Sequence, residues 1–201
     1  MDDFQFLKEE ISNKNFNKRI FYARNANKYI DLMTIDIFVD KYIPYIANYI
    51  LKDENSEEVL TEYSKTFLNF LKYLGKENIY QNYQQQINNN NINNKENQDI
   101  EDEKNSQYNK SISLLLKCFF EKFFISEDEI LTETAINNMK ELLLELHNYS
   151  LIKNEMEKCL NNISINISRN ENKDINLIFS KVLLYYLISF FLIQSLNYLY
   201  R

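Results

Sequence analysis

The stretch that decides the fold is "FVDKYIPYIANYILKDENSEEVL", residues 38–60. Its apolar residues recur at steps of three and four, the spacing of one face of an amphipathic helix. They are Phe38, Tyr42, Tyr45, Ile46, Tyr49 and Ile50. Pro44, the only proline in the chain, lies inside this pattern. A proline there removes a backbone hydrogen bond at a cost of about 3 kcal/mol. We therefore expect a bent helix in which neighbouring groups satisfy the freed carbonyl.

The composition predicts an all-helical protein. The 201 residues include one glycine and one proline, whereas sandwiches, barrels and Rossmann folds need such residues at many turns. The net charge of −6 argues against a nucleic-acid partner, because phosphate backbones are repelled. The acidic N-terminus "MDDFQFLKEE" has no apolar leader and predicts no secretory signal.

The cysteine, histidine and acidic residues do not form a catalytic or metal-binding pattern. Cys118 and Cys159 lack a CxxC spacing, and His147 is the only histidine, so we expect no metal and no cofactor. The carboxylates of 99–103 and 126–129 fall in a polar run and a turn, where they are solvated. General acid–base catalysis needs paired groups in a pocket. The sequence therefore predicts a protein that is not an enzyme.

The apolar stripes alternate with short polar breaks and define helix, break, helix, four times over. The second helices of the first three pairs begin near Phe16, Val59 and Ile130. Two of them carry a predicted apolar stripe: the second has Val59, Tyr63, Phe67, Phe70, Leu71 and Leu74, and the third has Ile130, Ala135, Met139, Leu142, Leu143 and Leu146. Once a polar insertion is removed, these starts fit the period of about 40–47 residues of HEAT-type repeats. The predicted fold is an α-solenoid of about four HEAT-type antiparallel helix pairs.

Three segments follow from this pattern. Residues 1–79 hold the first two pairs, residues 80–112 a disordered Asn/Gln-rich insertion, and residues 113–201 the last two pairs. The insertion is assigned from composition, since it has too little apolar surface to offset its ordering entropy. Gly75, the only glycine, is placed as a left-handed cap at the end of the second pair.

The order of Pro44 and then Asp53 is typical of HEAT repeats, which carry a proline in the first helix and an acidic residue in the turn. Residues 9–46 resemble the first repeat, and the start of the second, of the scaffold (structural regulatory A) subunit of protein phosphatase 2A. The marks are Asn13, Asn15, Arg19, Arg24 and Pro44. Residues 57–75 and 121–139 are similar to the family's second and third repeats, the latter through Glu127, Asp128 and Ala135.

This resemblance implies a non-catalytic scaffold that holds the regulatory and catalytic subunits of a serine/threonine phosphatase together. The chain corresponds to the N-terminal repeats, which in the family bind a regulatory B-type subunit. The catalytic subunit would be held only if further repeats exist. A cytoplasmic or nuclear location follows from the family.

In the family, the turns inside the repeats form the partner-binding ridge. Carried over, the protein-binding residues are Asn13, Lys14, Asn15, Asp53, Glu54, Asn55, Ser126, Glu127, Asp128 and Asp174. The same residue types also cap the helix that follows each turn, and capping does not exclude contact with a partner.

A membrane-associated protein is the main alternative, and a helical-pair interaction module outside the phosphatase family is a weaker third. Residues 182–193, "VLLYYLISFFLI", are an unbroken apolar run near the C-terminus. A bilayer span needs about 20 largely apolar residues, and a shorter run is more often a buried helix. Counting its polar flank, segment 182–200 is a borderline hydrophobic anchor.

Overall fold

The computed structural model describes the backbone of residues 3–89, 96–124, 126–145, 149–167 and Ser180. Side chains are described for residues 7–77, 106–124, 126–145, 149–161 and Ser180. Within these ranges the regular structure is helical throughout, without a strand. The predicted all-helical class is therefore confirmed.

The described residues form eight α-helices. Their bounds are α1 Asp3–Ile11, α2 Phe16–Asn25, α3 Ile35–Ile37, α4 Ile43–Lys52, α5 Glu57–Asn89, α6 Glu96–Cys118, α7 Glu129–Glu145 and α8 Ser150–Ile167. A 3₁₀ helix, Ala26–Leu32, follows α2, and π turns lie at Phe38–Tyr42 and Phe119–Phe123. The starts of α2, α5 and α7 agree with the predicted starts of the second helices.

The described helices pack in two rows. In one row α2 lies against α5, and α5 lies against α7. The contact between α5 and α7 is the most extensive one among the described helices. In the other row α4 lies against α6, and α6 against α8. Contacts of α5 with α6 and α8 join the rows, and α1 packs on α2. Each row therefore contains alternate helices of the chain.

The core between the rows is built from the predicted stripes. All six stripe residues of α5 are fully buried: Val59, Tyr63, Phe67, Phe70, Leu71 and Leu74. In α7, Ala135, Met139, Leu142 and Leu143 are buried as expected, and the predicted stripe residue Leu146 lies outside the described residues. Ile130, the predicted start of that stripe, is 70 % exposed, and Leu131 takes the buried position. The correction is one residue, which rotates a helical side chain by about 100°.

The helix around Pro44 accommodates the proline through a π turn. The Ile43 N–H donates to the Phe38 carbonyl, five residues back, and not to the Val39 carbonyl, as it would in an α-helix. The next residue, Pro44, has no N–H to offer. The Val39 carbonyl instead accepts a buried hydrogen bond of 2.7 Å from the Ser111 hydroxyl on α6. Ser111 is thus a neighbouring group that satisfies the carbonyl left free at the proline.

Gly75 does not end a helix, which corrects its assignment as a left-handed cap. It lies inside α5, and its φ is not positive. A Cβ atom at Gly75 would stand 2.6 Å from Tyr149 Cδ1 and 3.0 Å from Ile152 Cδ1. Since real Cβ atoms do not approach other atoms this closely, glycine is needed for α8 to pack against α5.

The predicted insertion, residues 80–112, differs from the structure in its last turns. Tyr108, Ser111 and Ile112 belong to α6 and are at most 4 % exposed, so they are part of the packed protein. Residues 80–89 and 96–105 are helical in backbone, as the ends of α5 and α6. Among the described side chains of α6, burial extends back to Tyr108, earlier than the polar composition suggested.

Among the described residues, none of the helices combines the length and hydropathy that a bilayer span requires. The predicted anchor, 182–200, lies outside the described residues.

Candidate protein-binding ridge

The first turn, between α1 and α2, is organised by two asparagine side chains. Asn13 Oδ1 accepts from the Asn15 N–H at 2.9 Å, and Asn15 Oδ1 accepts from the Asn17 N–H at 2.9 Å. Asn15 is thus the N-cap of α2, and one unpaired donor at the helix start is satisfied. Lys14, between them, is exposed.

The second turn, between α4 and α5, contains a buried carboxylate. Glu54 is 2 % exposed and accepts from Arg19 Nε at 2.8 Å and from the Tyr49 hydroxyl at 2.9 Å. Its other oxygen accepts from the N–H groups of Asn55 and Ser56. Burial raises the pKa of the Tyr49 hydroxyl, and the Glu54 carboxylate raises it further. Glu54 therefore holds the turn in shape and offers no surface to a partner, whereas Asp53 and Asn55 are exposed.

In the third turn, before α7, side-chain oxygens accept from backbone N–H groups, as they do in the first turn. Asp128 Oδ1 accepts from the Leu131 N–H at 2.7 Å, and Ser126 Oγ accepts from the Asp128 N–H at 3.1 Å. The Thr132 hydroxyl donates to the Ser126 carbonyl. Glu127 is left as the exposed charge of this turn.

Two cations join the three turns. Arg19 donates to Glu54 of the second turn and also, through Nη1, to the carbonyls of Asn13 and Lys14 in the first. Lys122, in the second π turn just ahead of the third turn, donates from Nζ to Asn55 Oδ1 at 3.0 Å. The described turns therefore lie side by side along one edge of the protein, which we call the ridge.

The exposed charge of the ridge is mainly negative. Asp53 and Glu127 are exposed, and the glutamates that open the following helices extend the same sign: Glu57, Glu58 and Glu129. Carboxylates at helix N-termini are favoured by the helix dipole, so this charge is stable where it lies. A basic surface would complement the ridge.

Of the predicted ridge residues, Asp174 lies outside the described part of the chain. The single histidine, His147, which was not predicted for the ridge, also lies outside it. The structure brings the other nine together in three adjacent turns. Sequence reasoning missed Lys122 as a link between turns, and treated Arg19 only as a family mark. The role of Arg19 could have been inferred from the sequence, because in a repeat fold its side chain can reach the acidic turn of the next helix pair.

No protein-family model, curated protein or solved structure matches this chain.

Proposed function

We propose that this chain is a non-catalytic HEAT-type scaffold, resembling the A subunit of protein phosphatase 2A, that binds a regulatory B-type subunit through the ridge. The observation that carries the proposal is the continuity of the turns. Arg19 bonds to the first and second turns, and Lys122, four residues ahead of Ser126 in the third turn, bonds to the second. The three turns can therefore present one extended surface.

The packing of the helices supports the repeat interpretation behind this proposal. Alternate helices share a row, with α2, α5 and α7 in one and α4, α6 and α8 in the other. A solenoid of antiparallel pairs places its first helices in one layer and its second helices in another. In the part of the chain that is described, extensive contact links neither α1 nor α2 with α7 or α8.

The charge of the ridge sets the chemistry of the partner. Exposed carboxylates at Asp53 and Glu127 favour a basic surface, and their attraction should weaken as salt screens it. Three turns form a small interface, and small interfaces belong to transient complexes. We therefore expect weak, salt-sensitive binding of a B-type subunit and no tight binding of the catalytic subunit.

The test reverses the exposed charges and leaves the buried one alone. Asp53→Lys combined with Glu127→Lys should lower the affinity for a B-type subunit about tenfold or more, measured by calorimetry. Glu54 is unsuitable for reversal, because a buried lysine would break the turn.

A matched control changes the same charge far from the ridge. Asp31→Lys combined with Asp36→Lys alters two exposed carboxylates. Asp36 lies in α3, which continues through the first π turn into α4. Along this helical run, Asp36 is about 25 Å from Asp53 in the second turn. Equal loss of binding in both double variants would point to net charge alone. Unchanged binding in the ridge variant would remove the ridge from the interface, and tight binding of the catalytic subunit would refute the assigned division of roles.

A further inference from the structure

Positive charge is concentrated in one short part of this acidic protein. Residues 11–30 contain five of the 23 basic residues and none of the 29 acidic ones. Arg19 donates to Glu54 within the ridge, so its charge is paired there. The other four side chains point to solvent and are Lys14, Lys18, Arg24 and Lys28.

Two of these cations flank an exposed aromatic ring on the outer side of α2, and a third lies just beyond the helix. Lys18, Phe21 and Arg24 follow one another at steps of three, so they share one side of α2. Lys28 lies four residues past Arg24, in the 3₁₀ helix that follows α2, and is also exposed. Phe21 is 67 % exposed, which is unusual for a phenylalanine in the middle of a packed helix. We call Lys18, Phe21, Arg24 and Lys28 the α2 face.

The ion pairs on this face leave it positive. Lys18 lies 3.9 Å from Glu10 Oε1, and Arg24 Nε lies 3.4 Å from Glu62 Oε1. Glu62 is shared with Lys65, so it does not neutralise Arg24 fully. Lys28 makes no ion pair with any described residue. Lys18 and Arg24 are 56 % and 57 % exposed, which leaves their outer donors accessible.

We propose that the α2 face binds an acidic amphipathic helix of a partner protein. Carboxylates one helical turn apart can meet Lys18, Arg24 and Lys28, which are themselves one to two turns apart. An apolar side chain of the partner covers Phe21 and removes it from water, as an aromatic anchor does at the centre of an interface. The surface is distinct from the ridge, and the proposal does not depend on a phosphatase partner.

Charge complementarity favours a narrow partner over an extended anionic one. The ridge begins at the N-terminal end of α2 and carries Asp53, Glu57 and Glu58. A membrane surface or a nucleic acid would meet these carboxylates as well as the α2 face and would be repelled by the net charge of −6. A single helix can lie on the α2 face alone.

The experiment uses the full chain and a defined probe. The probe is a fluorescent peptide of about 15 residues made of Glu, Ala and Leu, with Glu and Leu on one helical face. Fluorescence anisotropy should show binding at about 0.05 M salt and its loss at about 0.5 M. Lys18→Glu combined with Arg24→Glu should weaken binding at least about tenfold, and Phe21→Ala should do so by about the same factor.

The controls decide between specific and general attraction. Lys117→Glu changes an equally exposed cation on α6 and should leave binding unchanged. Lys28→Ala provides a milder variant if the double reversal fails to fold, and it should lower affinity about threefold. A peptide with Lys in place of Glu should be attracted to the acidic ridge instead, so Lys18→Glu combined with Arg24→Glu should not weaken its binding. Absence of binding by the acidic peptide, equal loss in Lys117→Glu, or binding of anionic vesicles or single-stranded DNA in preference to the peptide would each overturn the proposal.

Discussion

At the scale of single residues, close contacts between helices and buried polar groups decide which substitutions the structure tolerates. Gly75 is surrounded by the Tyr149 ring and the Ile152 side chain, so the space for a Cβ atom is already filled. Glu54 is the opposite case, a buried carboxylate that is stable because four donors reach it. Both residues hold elements together, and neither presents a surface.

Gly75→Ala is expected to destabilise the protein by about 1–3 kcal/mol, because overpacking forces α8 away from α5. Helix propensity alone gives the opposite sign, since alanine is favoured over glycine inside a helix by about 1 kcal/mol. Denaturant melts measure the difference. In a Tyr149→Ala background the ring is gone, and the same substitution should then be stabilising. A stabilising effect in the native background would contradict the close contact.

Tyr63 carries a buried hydroxyl that has no hydrogen-bond partner among the described residues. Tyr63→Phe should therefore leave stability unchanged or raise it by about 1 kcal/mol, because no hydrogen bond is lost. Tyr22→Phe is the matched control. It removes a 2.6 Å hydrogen bond to the Tyr42 hydroxyl and should cost about 1–3 kcal/mol. Thermal melts of both variants test the pair, and a large loss in Tyr63→Phe would reveal a partner for that hydroxyl.

At the scale of elements, both π turns bring aromatic rings against α5. Phe38, in the first π turn, lies edge-on to Phe70 at 5.1 Å between ring centroids, and Phe123, in the second, lies 5.8 Å from Phe67. A π turn changes the register of the helix, which re-aims the side chains that follow it. In the first π turn it also frees the Val39 carbonyl for Ser111.

Ser111→Ala should cost about 1–3 kcal/mol, because the Val39 carbonyl is then buried without a donor. Pro44→Ala supplies a new backbone N–H in the same helix, so the loss should shrink when the two substitutions are combined. A double-mutant cycle in denaturant measures this coupling. Ser106→Ala, on the exposed part of α6, should have little effect. Additive losses would show that Pro44 and Ser111 act independently.

At the scale of the whole molecule, three buried tyrosines link stability to alkaline pH. Burial is the main cause that raises the pKa of Tyr22, Tyr42 and Tyr63 above the ordinary value of 10.0. The folded chain keeps these protons at a pH where the unfolded chain releases them. The stabilisation is therefore complete below about pH 10 and is lost as the pH rises above it.

The free energy of unfolding should fall by about 1.4 kcal/mol per pH unit for each of these tyrosines, or about 4 kcal/mol per unit for all three. Denaturant titrations at several pH values above about 10 measure the slope. Tyr63→Phe should reduce the slope by about 1.4 kcal/mol per pH unit, while leaving stability at neutral pH nearly unchanged. A flat profile would mean that the hydroxyls ionise within the folded chain.

The sequence alone determined the helical class, the starts of α2, α5 and α7, and the buried stripe of α5. These features depend on local periodicity, as in the α5 stripe from Val59 to Leu74, and periodicity needs no knowledge of neighbours. The turn residues were also readable, because Asn15 and Asp128 cap helices through bonds only two or three residues long.

Only the tertiary structure decided what happens between distant parts of the chain. The close approach of Tyr149 to Gly75, the bond from Ser111 to Val39 and the burial of Glu54 against Arg19 all join residues far apart in sequence. Composition misplaced Tyr108 and Ser111 in an insertion for the same reason, since their burial depends on α6 packing against α4. A side chain's surroundings are set by which helices meet, and the local sequence does not contain that information.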